Sequence, residues 1–221
     1  MKSVLILCLL LLGFNLLKAQ QVIDQQKGYH KHDGFYLSMN LGPVFSDVTD
    51  HVNAFGGSSA YTLDMSGQGA VMDMKIGGAI RENLILHATI ISNSMSGPTI
   101  ITTKNGFVTS AKASNSFAIS DAIYGVGLTY YVMPSNYFVS GSIGIVTFTL
   151  VDSGQDNSSI STQGGLAMQF KLGKEWWVSK NWGLGVGVTY SKSSVTNEPS
   201  KGEFEHLISN RFGILFNTTF N

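Results

Sequence analysis

The sequence predicts an all-β chain folded as one eight-stranded, antiparallel, up-and-down transmembrane β-barrel, and three observations lead there. After Gly34, apolar residues alternate with small or polar ones in eight successive segments, the period of a strand with two unlike faces. The reversals between those segments alternate between tight turns and long polar loops. Only 13% of the 221 residues are charged, about half the usual fraction of a soluble domain, so something other than water covers part of the exterior. Fourteen basic and fourteen acidic side chains balance to zero net charge, and without a basic excess nucleic acid is excluded as a partner.

The chain divides into three parts. Lys2, the apolar stretch Val4 to Leu17 and the exit Lys18-Ala19-Gln20 have the form of a secretory signal peptide over residues 1–19. The stretch is shorter than the roughly 20 apolar residues of a spanning helix, and a polar segment, residues 20–33, follows it. That segment is expected in the periplasm as a solvated tail, with the barrel occupying residues 34–221. The single cysteine, Cys8, falls in the middle of the apolar stretch, which does not suit a lipid anchor and leaves the mature chain without thiol chemistry.

Eight strands are expected in order. Phe35, Leu37, Met39 and Leu41 mark the first, Ala70, Met72, Met74 and Ile76 the second, and Leu86, Ala88 and Ile90 the third. Tyr124, Val126, Leu128, Tyr130 and Val132 mark the fourth, and Tyr137, Val139, Ile143 and Ile145 the fifth. Leu166, Met168, Phe170 and Leu172 mark the sixth, followed by Trp182, Leu184, Val186, Val188 and Tyr190, then by Ile208, Phe212, Ile214, Phe216 and Phe220. Tight turns fall at 81–83, 134–136 and 179–181, and long loops at 46–66, 94–116, 151–162 and 191–204. Short turns on the periplasmic rim and long loops outside are the asymmetry of a bacterial outer-membrane barrel.

Soluble eight-stranded barrels of the lipocalin kind carry the opposite orientation, apolar inside and charged outside. Here the face opposite the aliphatic residues is rich in Gly, Ser, Thr and Asn with few charges, poor cover against water but suited to the cramped interior of eight strands. The apolar face is therefore expected to meet lipid. Tyr130, Tyr137, Trp176, Trp177, Trp182 and Phe220 gather near strand ends as an interfacial aromatic girdle.

The segment Gly-Lys-Glu-Trp-Trp-Val-Ser-Lys-Asn-Trp-Gly-Leu-Gly-Val, residues 173–186, resembles the penultimate hairpin of small bacterial outer-membrane β-barrel proteins of the OmpA-like and OmpX-like families. The similarity of pattern runs from about Gly34 to Asn221. Phe212, Ile214, Phe216 and Phe220 resemble the C-terminal signal of those families, although Thr218 interrupts the alternation and Asn221 follows the last aromatic. The resemblance implies an outer membrane of Gram-negative type, lipid and lipopolysaccharide as surroundings, the barrel-assembly machinery during biogenesis, and other envelope proteins as possible partners. It also implies adhesion or envelope-integrity roles through the four long loops, without a peptidoglycan-binding domain.

Parity places Asp73, Lys75, His87, Lys171, Glu175 and Arg211 on the inward face, where unpaired charge is costly. An ion-pair network that plugs the lumen is expected. The alternative is a small-solute or ion pore, but eight strands leave an interior that side chains can fill. A lipid-modifying enzyme needs a nucleophile and base on one face, whereas His206 and Ser209 point to opposite faces and Thr89 beside His87 is a poor nucleophile. No catalysis and no cofactor are expected, because strand glycines such as Gly125-Val126-Gly127 lack the strand-to-helix setting of a phosphate loop. No metal site is expected either. His30, His32 and Asp33 fall in the polar tail, and Asp47, Asp50, His51, Asp64, Asp152 and Asp156 are expected in hydrated outward loops, although acids there could bind cations that bridge lipopolysaccharide.

Overall fold

The computed structural model describes residues 30–53, 60–154, 158–200 and 203–221. The expected signal peptide, most of the segment before the barrel, and Asp156 lie outside the described residues. In chain order the strands are β1 (Phe35–Val52), β2 (Tyr61–Arg81), β3 (Leu84–Ser96), β4 (Thr99–Lys104), β5 (Phe107–Lys112) and β6 (Phe117–Val132). They continue with β7 (Tyr137–Asp152), β8 (Ser158–Ser161), β9 (Gly165–Trp177), β10 (Trp182–Ser200) and β11 (Glu203–Phe220). Eight of them close a ring, β1-β11-β10-β9-β7-β6-β3-β2, in which β1 pairs antiparallel with both β11 and β2. The seam between first and last strands keeps one register from Leu37 opposite Phe220 to Val52 opposite Glu205, interrupted at Gly42 and Pro43.

Alternation decides the two faces. Ile143 is 67% exposed and Leu166 75%, whereas Val146 and Phe148 on the opposite face are 0% exposed. The outward apolar positions form a belt that on β1 runs through Phe35, Met39, Leu41 and Phe45 and then gives way to Asp47, Thr49 and His51. The inward face is less uniformly small and polar than expected. Val44, Val48, Val71, Ile91, Ile119, Ile123, Val146 and Phe148 belong to an apolar cluster inside the long-loop half of the barrel. Inward glycines let strands come together: a Cβ on Gly42 would overlap the carbonyl oxygen of Ile214.

The long loops are corrected. β1 and β2 stay paired as far as Val52 and Tyr61, which shortens the expected 46–66 loop, and β10 and β11 extend to Ser200 and Glu203. Segment 94–116 contains the β4–β5 hairpin, whose turn residues Asn105 and Gly106 take φ values of 51° and 79°. Segment 151–162 contains β8, paired with β7. The reason is physical. Past the lipid, the outward face meets water and loses its apolar signature, but the hydrogen-bonded ladder persists. Asp47, Asp50, His51, Asp64 and, at the end of β7, Asp152 are therefore strand residues.

Two further corrections concern the short-turn rim. Trp177 is 2% exposed, because adjacent strand residues face opposite ways and β9 parity sends Trp177 inward with Glu175. Of the other proposed girdle aromatics, Tyr130, Tyr137 and Trp182 are 49%, 54% and 44% exposed. Phe220 packs against Trp182 at a centroid distance of 5.2 Å, and Trp176 lies under Lys174 Nζ. His32 is not solvated but fully buried in the mouth, its ring stacked on Tyr131 at 3.5 Å. Its Nδ1 and Nε2 each lie 2.9 Å from an amide oxygen, those of Asn221 and Asn136 respectively. Asn83 N–H donates to the His32 carbonyl at 2.8 Å, so the segment is tied to the β2–β3 turn.

Replacing Ile143, near the middle of the belt, with Arg is expected to cost about 2–4 kcal/mol in urea titrations of vesicle-embedded protein, and Ile160→Arg on β8 close to nothing. His32→Ala removes a ring stack and two side-chain hydrogen bonds, and an unfolding loss of about 2–3 kcal/mol is expected in the same titration.

Candidate functional site

The candidate site is the lumen, built from alternate residues of all eight ring strands. Every residue of the expected inward set is buried: Asp73 and Lys75 at 0% exposure, Glu175 and Arg211 at 1%, His87 and Lys171 at 2%. They do not form one network but separate into layers along the axis.

In the short-turn half, Asp73 stands between two ammonium groups. Its Oδ1 lies 3.2 Å from Lys75 Nζ and its Oδ2 3.6 Å from Lys171 Nζ. Lys75 Nζ also donates to Gln169 Oε1 at 2.9 Å and to Thr89 Oγ1 at 3.2 Å, and Lys171 Nζ to Asn40 Oδ1 at 3.1 Å. Strands on several sides of the ring thus converge on one carboxylate. His87 Nε2 lies 3.0 Å from Thr129 Oγ1, whose hydroxyl donates to Ser140 Oγ at 2.8 Å. Nearer the rim, Glu175 accepts hydrogen bonds at Oε1 from Thr219 Oγ1 at 2.8 Å and Tyr131 OH at 3.2 Å. The Tyr36 and Tyr131 hydroxyls lie 3.2 Å apart beside it, and His32 and Trp177 close the mouth.

In the long-loop half, Arg211 pairs with Asp121, Nη2 to Oδ1 at 2.9 Å. Arg211 also donates to Ser46 Oγ at 2.9 Å and Ser209 Oγ at 3.2 Å, and Asn93 Nδ2 donates to Asp121 Oδ2 at 3.3 Å. This pair is set inside the apolar cluster. Ile119 and Ile123 flank Asp121 on the inward face of β6, and Val44 and Val48 flank Ser46 on β1. Sequence reasoning missed Asp121 because the fourth strand was started at Tyr124; carrying its parity back from Gly125 would have found the residue.

Above the belt, Asp50 is 7% exposed, and its strand partners are Leu63 on β2 and Leu207 on β11. Burial first, and then the charge of Glu205, push its carboxyl up to about 7. Glu205 Oε2 accepts from Asn197 Nδ2 at 3.0 Å. Of the other acids on this side, Asp64 Oδ1 accepts from Thr49 Oγ1 at 2.7 Å and Asp152 Oδ1 from the Gly154 N–H at 3.0 Å. Among the described residues, no three His, Cys, Asp or Glu converge as a metal cluster, His30 and Asp33 included. Ser209 faces inward onto Arg211, whereas His206 meets Ser194 across β10 and β11, Nε2 to Oγ at 3.0 Å. Apolar grooves mark the outer wall. One of about 570 Å³ between β6, β7, β9 and β10 is lined by Tyr124, Ile143, Ile145, Leu166 and Met168.

No protein-family model matches the chain, and no curated protein does. Solved structures do. Neisserial surface protein A matches with a TM-score of 0.52 at 12% identity, over 84% of this chain and 96% of that one. The outer membrane protein OprG from Pseudomonas aeruginosa matches with a TM-score of 0.51 at 15% identity, over 86% and 98%. At such identities the likeness is one of fold, and by fold the chain is a small eight-stranded β-barrel of the outer-membrane type.

Proposed function

We propose that the protein is a structural or surface-interaction barrel of a Gram-negative-type outer membrane, with its lumen closed and its function carried by the long-loop side. The observation that carries this reading is the filled lumen. Asp73 pairs with Lys75 and Lys171, Asp121 with Arg211, and Glu175 accepts from Thr219 and Tyr131, all buried, and an apolar cluster occupies the long-loop half. A conducting path needs a wet, continuous polar lining. Here polar side chains bond one another, and in the long-loop half apolar residues pack around the Arg211–Asp121 pair, which favours a plugged axis over a continuous wet path.

The outward belt supports residence in lipid, since a closed ladder is the arrangement by which strands satisfy their backbone there. With the short turns in the periplasm, the extensions of β1, β2, β10 and β11 and the β4–β5 hairpin reach the outside. Lys192, exposed on the outward face of β10 two residues beyond Tyr190, supports contact with lipopolysaccharide phosphates. Exposed Phe107 and Val108 at the hairpin tip, 78% and 65% accessible, favour contact with another envelope or surface component. The seam ending in Phe220 suits recognition by the barrel-assembly machinery, and secretion would depend on residues 1–19.

In planar bilayers the purified protein is expected to give no conductance steps, and a Lys171→Met, Arg211→Met double variant none or only poorly resolved ones. Discrete wild-type steps that change with the double substitution would defeat the sealed-barrel reading. Asp121→Ala leaves the Arg211 guanidinium buried without its carboxylate, and a loss of about 3–5 kcal/mol is expected in urea unfolding. Arg211→Met with Asp121→Leu should recover most of that loss, because well-packed apolar residues replace a buried pair at little cost.

A further inference from the structure

Two buried acids stand outside the ion-paired layers: Glu175, whose Oε1 accepts from Thr219 and Tyr131, and Asp50. Asp50 sits on the inward face of β1 between Val48 and Val52, with Leu63 and Leu207 as strand partners, and it is 7% exposed. Its Oδ1 is buried without a hydrogen-bond partner. Asp73 and Asp121 each meet a cation, but among the described residues no salt bridge reaches Asp50. Instead the nearest charge across the seam is of the same sign. Glu205 pairs with Val52 while Asp50 pairs with Leu207, so the two acids are diagonal inward neighbours on adjacent strands. Diagonal neighbours have Cα atoms about 7–8 Å apart. An aspartate and the longer glutamate, both on the inward face, can close that distance onto one ion with oxygen bonds of about 2.3–2.6 Å.

We propose that the long-loop mouth holds a divalent-cation site whose protein ligands are the carboxylates of Asp50 and Glu205, so that the ion staples β1 to β11 above the membrane. The donor set fixes the class of ion. Both ligands are carboxylate oxygens, and the neighbouring imidazoles of His51 and His206 belong to the outward face, which selects a hard ion such as Ca2+ over a soft or borderline metal. The Asn197 amide bonded to Glu205 Oε2 at 3.0 Å orients that carboxylate and leaves Oε1 for the ion. Water completes the shell at the open side of the mouth. A cation there cancels the repulsion between the acids and satisfies the orphan oxygen of Asp50.

The test uses the full mature chain refolded in detergent, stripped with EDTA and titrated with CaCl2 by calorimetry, with urea unfolding at each Ca2+ level. Wild type is expected to take one Ca2+ per chain with a dissociation constant of about 10⁻⁴ to 10⁻³ M and to unfold at higher urea as Ca2+ rises. Asp50→Asn and Glu205→Gln should each weaken binding about tenfold or more and abolish the urea shift, whereas Asp64→Asn on the outward face of β2 should leave both unchanged. If Asp50→Asn does not fold, shown by loss of the heat-modifiable gel shift, Glu205→Gln at its half-buried position decides. The proposal is overturned if wild type binds no Ca2+ at about 10 mM, a level above the weakest extracellular sites. It is equally overturned if Glu205→Gln keeps wild-type affinity, or if Asp64→Asn loses as much as Asp50→Asn. A shared proton in place of the ion would give the first of these results, with Asp50→Asn more stable than wild type at neutral pH.

Discussion

Inside hydrocarbon a backbone amide has no water to bond, so every N–H and C=O of the spanning residues must find its partner within the chain. For strands this means that the sheet closes, and here closure is the pairing of β1 with β11. Much else follows from it. An even number of antiparallel strands brings the first and last together, and a ring of eight leaves an axis so narrow that inward positions must be small or interlocked. Gly42 opposite the Ile214 carbonyl is one such concession to the curvature.

Narrowness also explains how charge survives in the interior. A lone ammonium there would be prohibitive, but Asp73 is shared by Lys75 and Lys171, which also donate to Asn40, Thr89, Ser142 and Gln169. Arg211 and Asp121 are treated the same way within an apolar surround. Polar side chains from strands on opposite sides of the ring therefore specify how those strands align, while aliphatic ones fill the volume. The outer wall needs no such precision, because mobile acyl chains fill whatever grooves it presents.

The fold was legible because strand alternation is a local signal that lipid sharpens: Leu166, Met168, Phe170 and Leu172 could hardly sit on any other face. It faded where its physical cause faded. Beyond the belt, Asp47, Thr49 and His51 no longer contrast with their neighbours, so paired strand reads as loop. Parity found the inward charges, but not their partners, since nothing local in the sequence tells that Arg211 meets Asp121 some ninety residues away. Trp176 and Trp177 look alike in the sequence, and only consistent application of the two-residue period separates the outward ring from the inward one. His32 was beyond any such rule. A polar residue before the first strand carries no periodicity, and its burial depends on a cavity made by Tyr131, Asn136 and Asn221 from distant parts of the chain.

The contact of His32 with Asn221 links the two ends of the barrel. One partner precedes the first strand and the other follows the last aromatic of the final strand, so their meeting presupposes that both edges of the sheet have already found each other. With the edges apart, the pocket that receives the imidazole would keep Tyr131, Asn136 and Trp177 but lack Asn221. Closure of the ring and closure of this rim are thus coupled, since Asn221 reaches the imidazole only when β11 lies beside β1.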